Sequence, residues 1–398
     1  MMTEQAITLM GSAGQTARLA RQESAHAIHA LWRNRDFRLL MTGQVAWLLG
    51  SHLYLIALPW LVLQLTGDVV AMGTTIILSG APRIALMPMG GAMSDRLSSR
   101  TVMLGSNIAR ASLLALLAWV VFVGRIESWM LYGFSFTYGL FEAFFVPARS
   151  AIVPLLVRQE QLQMANSIAS GLEQFCALVG PMAAGFTIAW VNSSAMTTDA
   201  EALGLYGVGV ALSLDALATL VSVVVLWPVS PHQHKPTAKQ ARPGQNLISS
   251  VVEAMVYVWQ HTTLRAPFLM IVAINVLTAG PLWVGLPALA GTRLNGGAAV
   301  LGVLTSALGA GALLGTALGG LLPSPASRQM GLVFALTIGV CSVGLLALAS
   351  TTSTLVAALS TLTIGASIGY THVTVVTWMQ SHTPCRLMGR MMSLVAMK

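Results

Sequence analysis

Gly90-Gly91-Ala92-Met93-Ser94-Asp95-Arg96-Leu97-Ser98-Ser99-Arg100 closes one apolar run, 70–93, and opens the next, 101–123. Each half of this stretch has a physical use. Glycines let two helices approach closely. An acid near a helix N-terminus gains from the dipole, and arginines on a tight loop can pair with an acid on a neighbouring helix. A short, charged connection between two membrane-length helices is built like a switch.

Displacing the chain by about 229 residues lays Gly90-Gly91 on Gly319-Gly320, Gly73 on Gly302, and Leu58-Pro59 close to Leu286-Pro287. Leu65-Thr66-Gly67 falls on Leu294-Asn295-Gly296, and Phe37 with Gln44 on Phe268 with Asn275. The second copy of the loop, Gly319-Gly320-Leu321-Leu322-Pro323-Ser324-Pro325, carries no acid, so a latch is expected only in the first. Matched membrane halves are a mark of transporters that rock one bundle against the other.

Composition sets the solvent. Hydrophobic residues make up 55% and charged residues 9%, with mean hydropathy +0.74; a soluble domain carries about 25% charged residues. Backbone groups in hydrocarbon must bond within their own segment, and the long apolar runs select helices over barrel strands. Spans are expected at 39–63, 70–93, 101–123, 128–147, 165–191, 204–228, 267–290, 297–322, 329–349 and 353–378, with an eleventh opening near Leu387 and cut at Lys398. The fold class is therefore an all-α membrane protein of two similar bundles, the second incomplete. The expected divisions are a cytoplasmic tail 1–36, a six-helix bundle 37–228, a linker 229–265 and a second bundle 266–398. Within the linker, Leu247–His261 reads as an amphipathic helix, and Arg18–Phe37 as either a basic surface helix or a mobile tail. Residues 1–36 carry no signal-peptide pattern.

With the N-terminus in the cytoplasm, only Arg125 and Arg293 fall outside among the loop arginines and lysines, which fixes the orientation. The net charge of +8 is thus topological and spread over loops, and a nucleic-acid partner is not expected. Cys176, Cys341 and Cys385 have no metal-ligand spacing. No metal and no cofactor is expected. An enzyme is disfavoured too: there is no Ser/His/Asp order and no HExxH cluster. The lack of a GxxxxGK[ST] loop leaves an electrochemical gradient as the energy source.

The Gly90–Arg100 stretch resembles the glycine–acid–arginine loop motif of the major facilitator superfamily, whose members carry twelve helices in two pseudo-symmetric six-helix bundles. The resemblance implies a conformational switch of Gly91, Asp95, Arg96, Arg100 and Glu142. Asp95 is expected at the start of the eleventh helix, and Arg100 on Glu142 of the fourth. The chain departs from the pattern at Ser98, where glycine is usual, and at Ser99 and Thr101. Gly180-Pro181-Met182-Ala183-Ala184-Gly185 looks like the family's antiporter signature, with Ala184 replacing a glycine. Phe144-Phe145-Val146-Pro147-Ala148-Arg149-Ser150 and Gln380-Ser381-His382-Thr383-Pro384 resemble the branch holding enterobactin-type siderophore exporters and macrolide efflux permeases.

A charge at mid-membrane costs about 2.5–3.5 kcal/mol on insertion scales, so each one needs a partner, a water cavity or a job. The candidates are His52, Arg83, Arg110, Glu142, Glu173 and Asp215. Glu173, Asp215 and His52 are the proton-coupling candidates. Either acid could instead be locked to Arg83 or Arg110, and His52 could simply contact a neighbouring helix. Arg110 is near enough to the cytoplasmic end to snorkel. Gln44, Asn275, His372 and Arg83 are the candidates for lining a substrate cavity. The leading expectation is a monomeric proton-coupled exporter of an amphipathic small molecule in a bacterial inner membrane. A proton-coupled importer is the alternative, as is a membrane scaffold, sensor or inactive fragment.

Overall fold

The computed structural model describes residues 31–158, 161–194, 200–230, 256, 259–260, 262–294, 296–322 and 329–382. Ten helices in it are long and apolar enough to cross a membrane. In chain order they are α1 (Arg35–Thr66), α2 (Val69–Leu97), α3 (Ser99–Phe122), α4 (Ser128–Leu156), α5 (Leu162–Ser194) and α6 (Ala200–Leu226). Then come α7, α8 (Gly297–Leu321), α9 (Met330–Ser350) and α10 (Thr354–His382). Helix α7 is built in three pieces: Thr262–Gly280, a π-helical turn Pro281–Gly285, and Leu286–Thr292. The expected surface helices at 18–37 and 247–261 fall mostly outside the described residues, as does the start of an eleventh span.

Local chemistry sets the hairpins. Asn34 caps α1 by accepting from the Asp36 and Phe37 amides at 3.0 and 3.3 Å. The helix stops at Gly67, which takes φ 61° and returns its amide to the Leu63 carbonyl. Asp68 then caps α2, accepting from the Val70 amide at 2.8 Å. One residue thus ends a helix and its neighbour begins the next.

At the opposite end the α2–α3 connection is shorter than expected. Helix α2 runs through Leu97, so Asp95 lies in its last turn rather than near a helix start, and the dipole argument for it does not hold for its own helix. The whole break is Ser98, with φ 83° and ψ 135°, the one non-glycine residue at positive φ among the described residues. Its side chain accepts from the Thr101 amide at 3.3 Å, which caps α3. Glycine is usual here because the turn asks for a backbone that L-residues rarely adopt. Helix α4 also outruns its expected end, continuing past Pro147 and Pro154 to Leu156.

Glycines draw helices together within each half. A Cβ on Gly90 would collide with the Ala143 carbonyl oxygen and one on Gly139 with that of Ser79, so α2 and α4 pack backbone to backbone. In the second half α8 and α10 do the same, with Gly365 against the Leu308 carbonyl and Gly369 against that of Ala312.

Two buried cores follow, at opposite ends. Near Ser98 lies a core drawn from the first half alone, with Phe37, Leu40, Met41, Trp47, Met103, Phe145 and Ile152. Near Gly67 a second core runs across both halves, from Ile56, Leu61 and Ile188 to Leu286, Ala290, Leu301 and Leu304. Across that seam a Cβ on Gly302 would stand 2.5 Å from the Pro181 carbonyl oxygen, and one on Gly309 would stand 2.6 Å from that of Ala177. Gly291 abuts Leu63 and Trp60 of α1. Every close glycine approach between the halves, among the described residues, lies between mid-helix and the Gly67 end. The halves are closed at that end.

Replacing Ser98 by glycine relieves a backbone strain of order 1–3 kcal/mol while losing a few tenths of a kcal/mol of capping. Thermal unfolding in detergent should therefore rank Ser98→Gly above the native chain, and the native chain above Ser98→Ala, which keeps the strain and loses the cap. The reverse order would show that the turn does not constrain the fold. Gly185→Val should open the Gly67 end and destabilise, whereas Gly105→Ala, with nothing within 4 Å, should be neutral; equal melting temperatures would contradict the seam.

Candidate functional site

A row of alternating charges crosses the first half. Arg83 on α2 meets Glu142 on α4 at 3.3 Å. Arg110 on α3 lies 3.9 Å from the other oxygen of Glu142. Arg110 then donates to both oxygens of Asp215 on α6, at 3.1 and 3.2 Å. Exposure falls along the row: the side chains of Arg83 and Glu142 are 38% and 13% exposed, that of Arg110 3% and that of Asp215 0%. Thr219, one turn along α6, donates to Asp215 at 3.3 Å. Gly50 of α1 makes room for the carboxylate, since a Cβ there would collide with it.

Aromatic rings close around the buried guanidinium. The Arg110 Cζ lies 4.9 Å from the Tyr138 ring centroid and 5.3 Å from that of Trp47. Tyr138 stacks on Tyr54 with centroids 3.8 Å apart, and Trp47 packs on Phe145 at 4.6 Å. A desolvated cation gains from the faces of such rings. Arg110 is therefore buried deep inside the bundle, and the expectation that it snorkels to the surface is corrected: a carboxylate and two rings hold it within.

A second ion pair lies toward the Ser98 end. Arg149 on α4 donates to Glu173 on α5 at 3.4 Å, and its Cζ lies 5.2 Å from the Trp47 ring. The Glu173 side chain is 51% exposed. It continues the Ala177–Pro181–Gly185 stripe of α5 by one turn, so it sits where α5 and α8 part company.

Several expected partnerships are redrawn. Glu142 pairs with Arg83 and Arg110, while Arg100 donates to the Trp227 carbonyl just past the end of α6. The expected Arg100–Glu142 contact gives way because Arg100, at the start of α3, meets the unsatisfied carbonyls of a helix end first. Glu173 is held by Arg149 rather than by Arg83 or Arg110. Gln44 is buried, with 7% exposure, instead of opening to a cavity. His372 lies half-buried on α10. His52 fills the contact between α1 and α5, where a Cβ on Gly180 would stand 2.5 Å from its ring. The side chains of Asp95, Arg96 and Asn275 lie outside the described set.

Trp47, Asn107 and Arg149 went unnoticed as site residues in the sequence. Arg149 counts there as one more cytoplasmic arginine, and Asn107 and Trp47 are neutral residues in apolar runs. The signal that could have found Asn107 is its place one turn before Arg110 on the same face of α3. No group of three or more His, Cys, Asp or Glu side chains gathers as a metal site among the described residues.

Known proteins give the fold a context. Over 92% of the chain the backbone is similar to the nucleoside transporter NupG, covering 86% of that chain at 13% identity with a TM-score of 0.65. It is similar too to a D-xylose–proton symporter, over 91% of this chain and 86% of that one, at 16% identity with a TM-score of 0.63. In sequence, macrolide efflux protein A of Streptococcus pyogenes is 26% identical over 148 residues, 37% of this chain and 36% of that protein. The MFS-type transporter YfiS of Bacillus subtilis is 28% identical over 161 residues, 40% of this chain and 37% of that protein. The matches thus span little more than a third of these relatives. The model of the Major Facilitator Superfamily matches residues 40–397. The two-bundle helical architecture and that match agree: this chain belongs to the Major Facilitator Superfamily of membrane transporters.

Proposed function

We propose that the chain is a proton-coupled exporter of an amphipathic small molecule, working by alternating access as a monomer in a bacterial inner membrane. The observation that carries this reading is the row of ion pairs running from half-exposed Arg83 to fully buried Asp215. Charges this deep are expensive to keep, and the two carboxylates of the row, Glu142 and Asp215, are the groups in it able to take up and release a proton. The closed Gly67 end and the first half's separate core near Ser98 support a state open toward Ser98. The arginine bias of the loops supports placing that end, and the N-terminus, in the cytoplasm.

The stripe of Gly180, Pro181 and Gly185 forms the seam about which the halves would rock. At the cytoplasmic end Gly91, Asp95, Arg96 and Arg100 form the switch, with Arg100 tying the α2–α3 turn to the end of α6. Of the three proton-coupling candidates, Asp215 belongs to the buried row; Glu173 guards the fork between α5 and α8, and His52 braces α1 on α5. One proton descending 100 mV supplies about 2.3 kcal/mol before any pH term. The relatives named for macrolide efflux make a macrolide the first substrate to try.

Proteoliposomes with an imposed pH gradient should move macrolide against proton flow, and no movement with any amphipathic probe would refute the reading. Arg110→Ala leaves Asp215 buried without its partner and should cost about 3–5 kcal/mol. The double variant Arg110→Met with Asp215→Leu should recover most of that stability, because a matched apolar pair needs no desolvation. It should nevertheless fail to couple transport to protons. Full proton-driven transport by the double variant would show the row to be structural only.

A further inference from the structure

On the outer side of the first half, lined by nothing from α7 to α10, a groove of about 440 Å³ runs between α5 and α6 with α1 as its floor. Each helix gives it one face: Ala46, Leu49 and Leu53 on α1, Gly180 to Thr187 on α5, and Leu214 to Val221 on α6. The lining spans two turns on every helix, so the groove is straight, about 10 Å long and parallel to the helix axes. Thr187, the one polar side chain among the lining residues, spends its hydroxyl on the Ala183 carbonyl at 2.7 Å. Just beyond it the walls meet: the Gly207 amide donates to Asn192 at 2.8 Å, and a Cβ on Gly207 would stand 2.5 Å from the Ile188 carbonyl oxygen. The groove is therefore shut at its Gly67 end, where Leu53 lies near the middle of the apolar run 39–63. Toward the Ser98 end the same face of α1 turns basic. Thr42, Arg38 and Arg35 continue the line of Leu53, Leu49 and Ala46 at helical spacing, and all three are exposed. Neither arginine is paired with an acid among the described residues. Asp36, the acid of this turn, lies about 100° round the helix from Arg35.

We propose that this groove and the two arginines bind one anionic phospholipid of the leaflet at the Ser98 end, its acyl chain in the groove and its phosphate at Arg35 and Arg38. The dimensions select the ligand. The unbroken helix from Arg38 to Leu53 measures about 22 Å, and one leaflet of a bilayer with its headgroups measures about 20–22 Å. A straight apolar trough lying along the helices takes a hydrocarbon chain, which lies the same way in a bilayer, and offers nothing to a polar solute. Charge complementarity decides the head. Two exposed guanidiniums at headgroup depth favour a lipid of net negative charge over a zwitterionic one. A chain in this place fills the gap between α5 and α6, so the lipid braces α5, the helix of the seam, against the rest of the first half. The inference needs only the membrane fold and stands apart from the direction and coupling of transport.

The full chain in phosphatidylcholine nanodiscs, given a trace of phosphatidylglycerol with a photoactivatable diazirine near the end of one acyl chain, tests the site. Mass spectrometry then locates the cross-links, which should gather on Leu53, Ala183, Thr187 and Leu214. Phosphatidylcholine carrying the same diazirine chain should label these residues at least about fivefold less. Ala183→Trp, which fills the groove from an exposed position, should remove most of the labelling, whereas Ile77→Trp, on an exposed face of α2, should leave it unchanged. Arg35→Gln combined with Arg38→Gln should bring the two lipids to equal yield while the chain still maps to the groove. Cross-links in the native chain spread evenly over exposed residues such as Ile77 and Leu332 would overturn the proposal without recourse to any variant. Equal labelling of the native chain by the two lipids would overturn the anionic head, and undiminished labelling of Ala183→Trp would overturn the groove as the seat of the chain.

Discussion

The closest tie between the two halves is made of backbone, not side chains. Gly185 and Gly302 bring α5 and α8 so near that neither tolerates a Cβ, and Gly309 repeats the contact further along α8, against Ala177. In lipid there is no hydrophobic force to drive helices together, so close packing of small residues has to supply the attraction. A seam of this kind is smooth. It fixes the distance between the halves while leaving few side chains to interlock against a change of angle. The common core at the Gly67 end and the first half's separate core at the Ser98 end both follow from where the seam lies.

The buried charges depend on that arrangement. Arg110 and Asp215 pair with each other within the first half, so a movement of this half as one body would expose neither. Glu142 and Glu173 differ, each sitting at a boundary. Glu142 divides its attention between a buried and a half-exposed arginine; Glu173 stands one turn beyond the last contact of the seam. Closing the Ser98 end would bring α8 toward Glu173 and bury it, and a carboxylate enters such a place only when paired or protonated. The row and the seam therefore bear on the same motion from different positions.

Most of the architecture was legible in the amino-acid order because membrane spans announce themselves by length and apolarity. All ten spans expected in the described region are helices, but of the glycines that fall in register only Gly90 and Gly302 bring the backbones of two helices together, whereas Gly320 has nothing within 4 Å. Partnerships were harder. A helix reveals which residues share its face, but not which neighbour that face meets, so Arg83 and Arg110 could be matched with an acid only once helices had been placed. Arg100 went to a carbonyl at the end of α6 because an uncapped helix end is invisible in a list of residues. Ser98 could be marked as a departure from pattern, whereas its positive φ could not be read. Gln44 occupies a repeat-equivalent position to Asn275, yet it is buried, since similarity of position does not fix the state of the cavity.

The pivot about the α5–α8 seam is the central claim, and paired spin labels measure it most directly. One pair belongs at Ser170 and Ala317, beyond the fork near the Ser98 end; the other at Ser193 and Ala299, near the Gly67 end. On acidification or substrate addition, the first distance should shorten by several ångströms as the second lengthens. Distances that hold constant under every condition, or that change in the same sense at both ends, would contradict a rocking pair of bundles.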